Sequence, residues 1–255
     1  MASNFSTIGL PVASSQDLTE LANRIGPLAE RMDAPGGAYF RWSDPSGAEI
    51  WLQVNENDDL VGMNPHYAGR SAVRVGLTSR RASAGPSRLD GSFHGWAAPV
   101  DEADSGSYPF VFDAPDYRLH ERLSLPSHKD VQIAAFAREI AAFETVAAFD
   151  ASQTGDLKYA SQSFIPSGLF TPDGDSRVPP QARAIFTGHV LAADEKINTQ
   201  TGHVFYWALV ETYGGAYDVV IDSSLLPRAP IVGGIVSGSF WLSGRIIAGT
   251  KSDHH

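Results

Sequence analysis

The chain has 255 residues, is 43% hydrophobic and 19% charged, and carries a formal net charge of −10 with a pI near 5.2. That is enough apolar material for a sizeable core and too little charge for a disordered chain, while the acidic balance disfavours phosphate backbones and anionic lipid as partners. It has no cysteine, which excludes disulfides, zinc ribbons and thiol nucleophiles. The N-terminus MASNFSTIGLPVASS has no basic start and no long apolar run, and no stretch reaches the length of a membrane span. A soluble cytoplasmic protein is expected, and the closing His254-His255 pair reads as a tag remnant.

Phe5–Val12 is a short strand candidate. Ser14 or Ser15 can cap a helix whose apolar face runs Leu18, Leu21, Ile25, Leu28 and Met32, with a break expected near Gly26 because Pro27 follows. Pro35-Gly36-Gly37 ends it. Ala38–Trp42 and Glu49–Val54 read as strands joined by the turn Ser43-Asp44-Pro45-Ser46-Gly47, and Leu60–Met63 as another. Period-two alternation puts Glu49, Trp51 and Gln53 on one face, with Tyr39 or Arg41 beside them according to register. These five residues form a candidate wall for a small-molecule pocket; the alternative is one exposed, half-polar sheet face.

The segment GGAYFRWSDPSGAEIWLQV, with Asp44-Pro45-Ser46-Gly47 at its centre, resembles the end of a vicinal-oxygen-chelate module, the unit of glyoxalase and bleomycin-resistance proteins. The resemblance covers about Phe5–Val54. It implies a strand–helix–three-strand unit, with a metal-binding Glu seven residues after the motif Asp. Trp51 stands at that position here, Glu49 lies two residues earlier, and no histidine stands in Phe5–Val12. The resemblance therefore implies a scaffold used for binding, and leaves a metal-dependent lyase, isomerase or dioxygenase as an alternative.

Val73–Thr78, Ser92–Ala97 and Tyr108–Asp113 are further strands. Arg70, Arg74, Arg80, Arg81 and Arg88 cluster in the same region, suited either to an anionic ligand or to pairing with surface carboxylates. His66, His94 and His120, with Asp113 and Asp116, are candidate metal ligands if the fold gathers them. Ser127–Phe149 reads as an amphipathic helix on the 3-4-3-4 spacing of Ile133, Phe136, Ile140, Phe143 and Ala147, with Ser127 and Asp130 as a capping box. It is expected to bridge two domains or to form an oligomer contact. Asp150–Pro180 reads as a linker or ordered loop, in which Asp173-Gly174-Asp175 is a turn rather than a calcium loop.

The C-terminal part opens with a strand at Ala182–Ala193. A hairpin follows, Val204–Thr212 and Ala216–Asp222 about Gly214-Gly215, and then Ile235–Ile247. These strands resemble an OB-type barrel. That fold needs five strands and four are clear, so Ile235–Ile247 supplies two or a strand comes from elsewhere. The set Phe205, Tyr206, Trp207, Tyr213, Tyr217, Phe240 and Trp241 could stack bases or fill the barrel. Five basic against six acidic residues from position 180 onward give no electrostatic funnel for a polyanion.

There is no G-x-S-x-G elbow, phosphate loop or dinucleotide fingerprint, and no cofactor is expected. The reading is a β-rich α+β protein with a vicinal-oxygen-chelate-like domain at 1–125, a bridging helix and loop at 126–180, and an OB-like barrel at 181–250. Its function would be non-catalytic binding of a small molecule or protein partner. The metal-dependent enzyme and a single-stranded nucleic-acid binder are the alternatives.

Overall fold

A computed structural model of the chain describes residues 3–85, 87–155, 158–169 and 179–247. The protein is β-rich, with two α-helices, α1 (Ser15–Ile25) and α2 (Val146–Ser152), among the described residues. No helix among them is long and apolar enough to cross a membrane. Residues 173–175, the acidic turn of the sequence reading, and the terminal histidines lie outside the described residues.

The N-terminal strands form a four-stranded antiparallel meander of β1 (Glu30–Ala34), β2 (Gly37–Ser43), β3 (Ala48–Asn55) and β4 (Leu60–Tyr67). The expected strand at Phe5–Val12 does not form: Ser6–Ile8 is a 3-10 turn closed by left-handed Gly9, and Ile8 and Leu10 are buried plugs instead. Ser14 and Asp17 cap α1 reciprocally. The helix ends at Ile25, and Met32 lies in β1. Pro27 removes a donor and sets the chain into a 3-10 turn, which cuts the apolar face that the sequence pattern ran on to Met32.

The remaining strands make one nine-stranded sheet that closes on itself twice. Its members are β5 (Val73–Ala82), β6 (Gly91–Ala97), β7 (Tyr108–Asp113), β8 (Ser127–Phe143), β9 (Ser163–Ile165), β10 (Arg183–Ile197), β11 (Val204–Thr212), β12 (Gly215–Asp222) and β13 (Ile235–Ile246). In the first ring the last strand of the meander β10–β11–β12 pairs in parallel with β8, β8 pairs antiparallel with β13, and β13 antiparallel with β10. In the second, the meander β5–β6–β7 meets β13 through one parallel pairing, and β13–β8 and β8–β5 are antiparallel. The two rings have the same strand order and directions, and they share β8 and β13.

The arrangement is close to two-fold symmetric about the β8–β13 pairing of Ala134 with Ser243. Asp218 of β12 pairs with Ala134, and Asp113 of β7 pairs with Ser243. Val73 and Leu77 of β5 face Val131 and Ser127, just as Ala184 and Gly188 of β10 face Phe240 and Val236. The repeat exists in topology and not in the residues that build it.

The bridging helix is therefore corrected: Ser127–Phe143 is β8, a 17-residue strand. Its residues Val131–Ala137 are buried without alternation because this part of β8 serves both rings and there has no solvent face. The helix after it is only α2. Strand β8 is also the fifth strand of the first ring, and Ile235–Ile246 stays a single strand. Residues 73–113 and 183–246, assigned by sequence to separate units, contribute to one sheet with one apolar core.

The meander β1–β4 lies across the outside of the first ring. Trp42, Ile50 and Leu52 pack with Leu21 and Ile25 of α1 and with Phe136, Phe205, Trp207 and Val220 of the ring wall. At 25 cal/mol per Å² of apolar surface, each such side chain contributes about 2 kcal/mol, which binds the meander firmly to the barrel pair.

Candidate functional site

The strand register places Tyr39 opposite Gln53 and Arg41 opposite Trp51, with Glu49 two residues before Trp51 on the same face. All five predicted wall residues thus share one surface. That surface does not face solvent, since Tyr39 and Trp51 are fully buried and Glu49 and Gln53 nearly so. The second ring covers it. The Tyr39 hydroxyl donates to the Leu89 carbonyl (2.5 Å) and accepts from the Arg118 amide (2.9 Å). Glu49 accepts from the Trp51 indole (3.0 Å) and from Ser43 (3.2 Å), and lies 3.5 Å from the Arg245 guanidinium. Arg245 also stacks on the Trp51 ring at 4.7 Å and reaches Asp116 at 3.4 Å. The face is a charged, hydrogen-bonded seam between meander and barrel.

His66 is buried in the same seam. Its Nδ1 lies 2.8 Å from Ser243 Oγ and its Nε2 2.8 Å from Gln132 Oε1. Gln132 spends its amide N–H on Asp218 (2.8 Å), so its oxygen accepts, His66 carries its proton on Nε2, and Ser243 donates to Nδ1. Asp218 further accepts from the amides of Arg70 and Ser71 and from the Trp207 indole. The chain Ser243–His66–Gln132–Asp218 has the outline of a nucleophile relay, but Ser243 is 1% exposed and His66 0%. No substrate reaches it, and its role is to tie β4, β13, β8 and β12 together.

The other candidate metal ligands are dispersed. His94 is partly buried on β6, its pKa lowered by burial and by Arg81. His120 Nε2 lies 3.3 Å from Asp116. Among the described residues no group of three or more His, Asp or Glu side chains is placed to hold a metal. The arginine cluster also divides. Arg74 pairs with Asp130 (3.3 Å), Arg80 donates to the carbonyls of His120, Glu121 and Leu123, Arg70 lies over Trp207, Arg88 is exposed, and Arg81 enters the cleft described next. Of the aromatic set, Phe205, Tyr206, Trp207, Tyr217 and Phe240 are buried, whereas Tyr213 is exposed and Trp241 half-buried.

A cleft of about 340 Å³ opens where the meander and the two rings meet. Its floor is a row across the sheet: Arg81 of β5 pairs with Ser92 of β6, which pairs with Asp113 of β7. Asp113 meets β13 at Ser243, and Trp241, two residues earlier on β13, pairs with Arg183 of β10. Arg138 of β8 completes that end. It is the extra residue of a β-bulge opposite Ser239 and Phe240, and such bulges re-aim a side chain. The far wall is Asn64 and Asp90.

Five charged side chains line the cleft, the carboxylates Asp90 and Asp113 and the guanidinium groups of Arg81, Arg138 and Arg183. Burial, with a smaller push from Asp90, raises the Asp113 carboxyl to about 6 in spite of the Trp241 indole donating to its Oδ2 (2.6 Å). Burial and the nearby Arg183 lower the Arg138 guanidinium below its ordinary value. Asp90 Oδ1 accepts from Asn64 (2.6 Å) and Gln53 (3.2 Å). Comparison with protein-family models, with curated proteins and with solved structures gives no match.

Proposed function

We propose that the protein is a non-catalytic binder of a small anionic molecule, held in the cleft between the meander and the two rings. The observation that carries this reading is the placement of Arg138 and Arg183. A bulge and a neighbouring strand direct both into one cleft, close enough to repel, in a chain whose net charge is −10. An anion between two guanidinium groups turns that repulsion into paired, charge-assisted hydrogen bonds. The volume suits a small ligand, and the half-buried Trp241 beside Arg183 adds an apolar wall.

The first ring supports an OB-like reading, with the meander β10–β11–β12, then β8 parallel to β12, and β13 between β8 and β10. The fifth strand comes from earlier in the chain. The vicinal-oxygen-chelate resemblance rests on the Asp44–Gly47 turn, whose carboxylate accepts from Ser46 and from the amide and hydroxyl of Thr199. The turn docks the meander on the barrel, a structural use of the motif.

Titration calorimetry with inorganic phosphate and with butyrate, at low and high ionic strength, tests the reading. Binding should be salt-sensitive and should weaken about tenfold or more in Arg183→Gln. Equal heats for wild type and variant would remove the cleft as the site.

A further inference from the structure

We infer that the open edge of strand β1 pairs with the same edge of a second copy of this chain, antiparallel about Met32, so that two four-stranded meanders join into one continuous sheet. Strand β1 does not line the cleft, so the pairing goes beyond the binding reading above.

Strand β1 ends the meander, and its one strand partner among the described residues is β2. The backbone N–H and C=O groups that turn away from β2 therefore have no ladder, which makes them a template for another strand. Charges on such an edge commonly block pairing with a copy. Here their signs favour it. Pairing about Met32 sets Arg31 opposite Asp33 of the second copy, and Asp33 opposite its Arg31, as two opposite-charge cross-strand pairs. Both side chains are more than half exposed. Arg31 spends Nε on its own Asp33 (2.8 Å), and its two terminal nitrogens have no hydrogen-bond partner among the described residues. Glu30, the remaining charge of the strand, is already paired with Arg41 of β2 (2.6 Å). On the other face Met32 is half-buried against the cluster of Tyr39, Trp51 and Leu89, and in this register it meets Met32 of the copy. The same register brings Leu28, which is 65% exposed, beside Gly36 of the copy. No described atom lies within 4 Å of the place a Cβ on Gly36 would take, so that site has room for the leucine. A single two-fold axis through Met32 generates all of these contacts, as a self-complementary interface requires.

The test uses the full chain. Sedimentation velocity from about 1 μM to about 1 mM should show a reversible monomer–dimer equilibrium, the upper limit being where even a weak contact is half formed. Asp33→Arg and Arg31→Asp each place like charges across the axis, and each should weaken self-association by about tenfold or more. Mixed in equal amounts, the two variants recover both opposite-charge pairs and should form a heterodimer as readily as wild type dimerises. The chain has no cysteine, so Met32→Cys supplies a single thiol, at the axis. Mild oxidation should link it into a disulfide dimer, while Glu56→Cys in the β3–β4 turn should stay monomeric. The charge variants and the cross-link are independent, so one variant that fails to fold leaves the other to decide. A wild type that remains monomeric at about 1 mM overturns the inference. So does a dimer indifferent to both charge variants, or one that a folded Met32→Cys does not cross-link, because such a dimer forms through another surface.

Discussion

The indole N–H of Trp241 donates to Asp113 over 2.6 Å, and across the strand pairing the same tryptophan lies opposite Arg183. One residue therefore holds a carboxylate of the cleft and borders one of its guanidinium groups.

Asp113 makes the first prediction. Its folded-state pKa is about 6, above its ordinary 3.8, because burial and Asp90 outweigh the Trp241 bond. The native state thus binds the proton more tightly than the unfolded chain does. Stability from this group is fully present below the unfolded value and is lost as pH rises through about 6. Asp113→Asn keeps an acceptor for Trp241 and removes the titration. Urea denaturation should show the variant more stable than wild type at neutral pH, with the advantage gone by about pH 4. An advantage independent of pH would contradict the assignment.

His66 titrates in the opposite sense. Burial is the main cause lowering its pKa from 6.5. A depressed histidine stays neutral in the fold while the unfolded chain takes up a proton, so stability falls as pH drops below 6.5. His66→Ala leaves Ser243 and Gln132 without their buried partner, at a cost of about 3 kcal/mol near neutrality. The variant should also lose this part of the acid sensitivity. Parallel urea curves at pH 7 and about pH 5 would show both effects.

Much of the barrel was legible in the sequence, and its organisation was not. Tyr108–Asp113 and Val204–Thr212 are strands with the bounds read from their β-branched and aromatic runs. The hairpin about Gly214-Gly215 follows from backbones at φ 87° and 155°. Strand β8 was hidden because Ile133, Phe136, Ile140 and Phe143 fall at helical spacing. Burial of both faces erased the alternation that marks a half-buried strand. The cleft was hidden for a different reason. Arg81 belonged to a basic cluster, Asp113 to a candidate metal set and Trp241 to an aromatic set. Only pairings such as Ser92 with Asp113, and Trp241 with Arg183, bring them together.

Arg245 lies between two buried carboxylates, 3.5 Å from Glu49 and 3.4 Å from Asp116, against the face of Trp51. Removing a partner from a buried ion pair costs more than the pair itself contributes, since the remaining charge stays desolvated. Arg245→Ala is expected to destabilise by about 3 kcal/mol. Adding Glu49→Gln should recover part of that loss, because one of the stranded charges disappears. A double variant no better than the single one would mean that Arg245 acts through packing on Trp51 alone.

Gly69 gives the sharpest steric test. A Cβ there would lie 2.0 Å from Asp218 Cγ and 2.2 Å from both carboxylate oxygens. Asp218 cannot step aside. The amides of Arg70 and Ser71, next to Gly69, donate to it, as do the side chains of Gln132 and Trp207. The backbone after β4 thus wraps the carboxylate closely enough that only a hydrogen fits. Gly69→Ala must break several of these bonds around a buried charge, and should cost more than about 3 kcal/mol or prevent folding. Gly85→Ala is the control. Its new methyl would meet only the Ser83 hydroxyl, at 3.2 Å, and stability should change by no more than about 0.5 kcal/mol. Thermal unfolding of the two variants beside wild type distinguishes the cases, and similar midpoints for both would show that Asp218 is free to move.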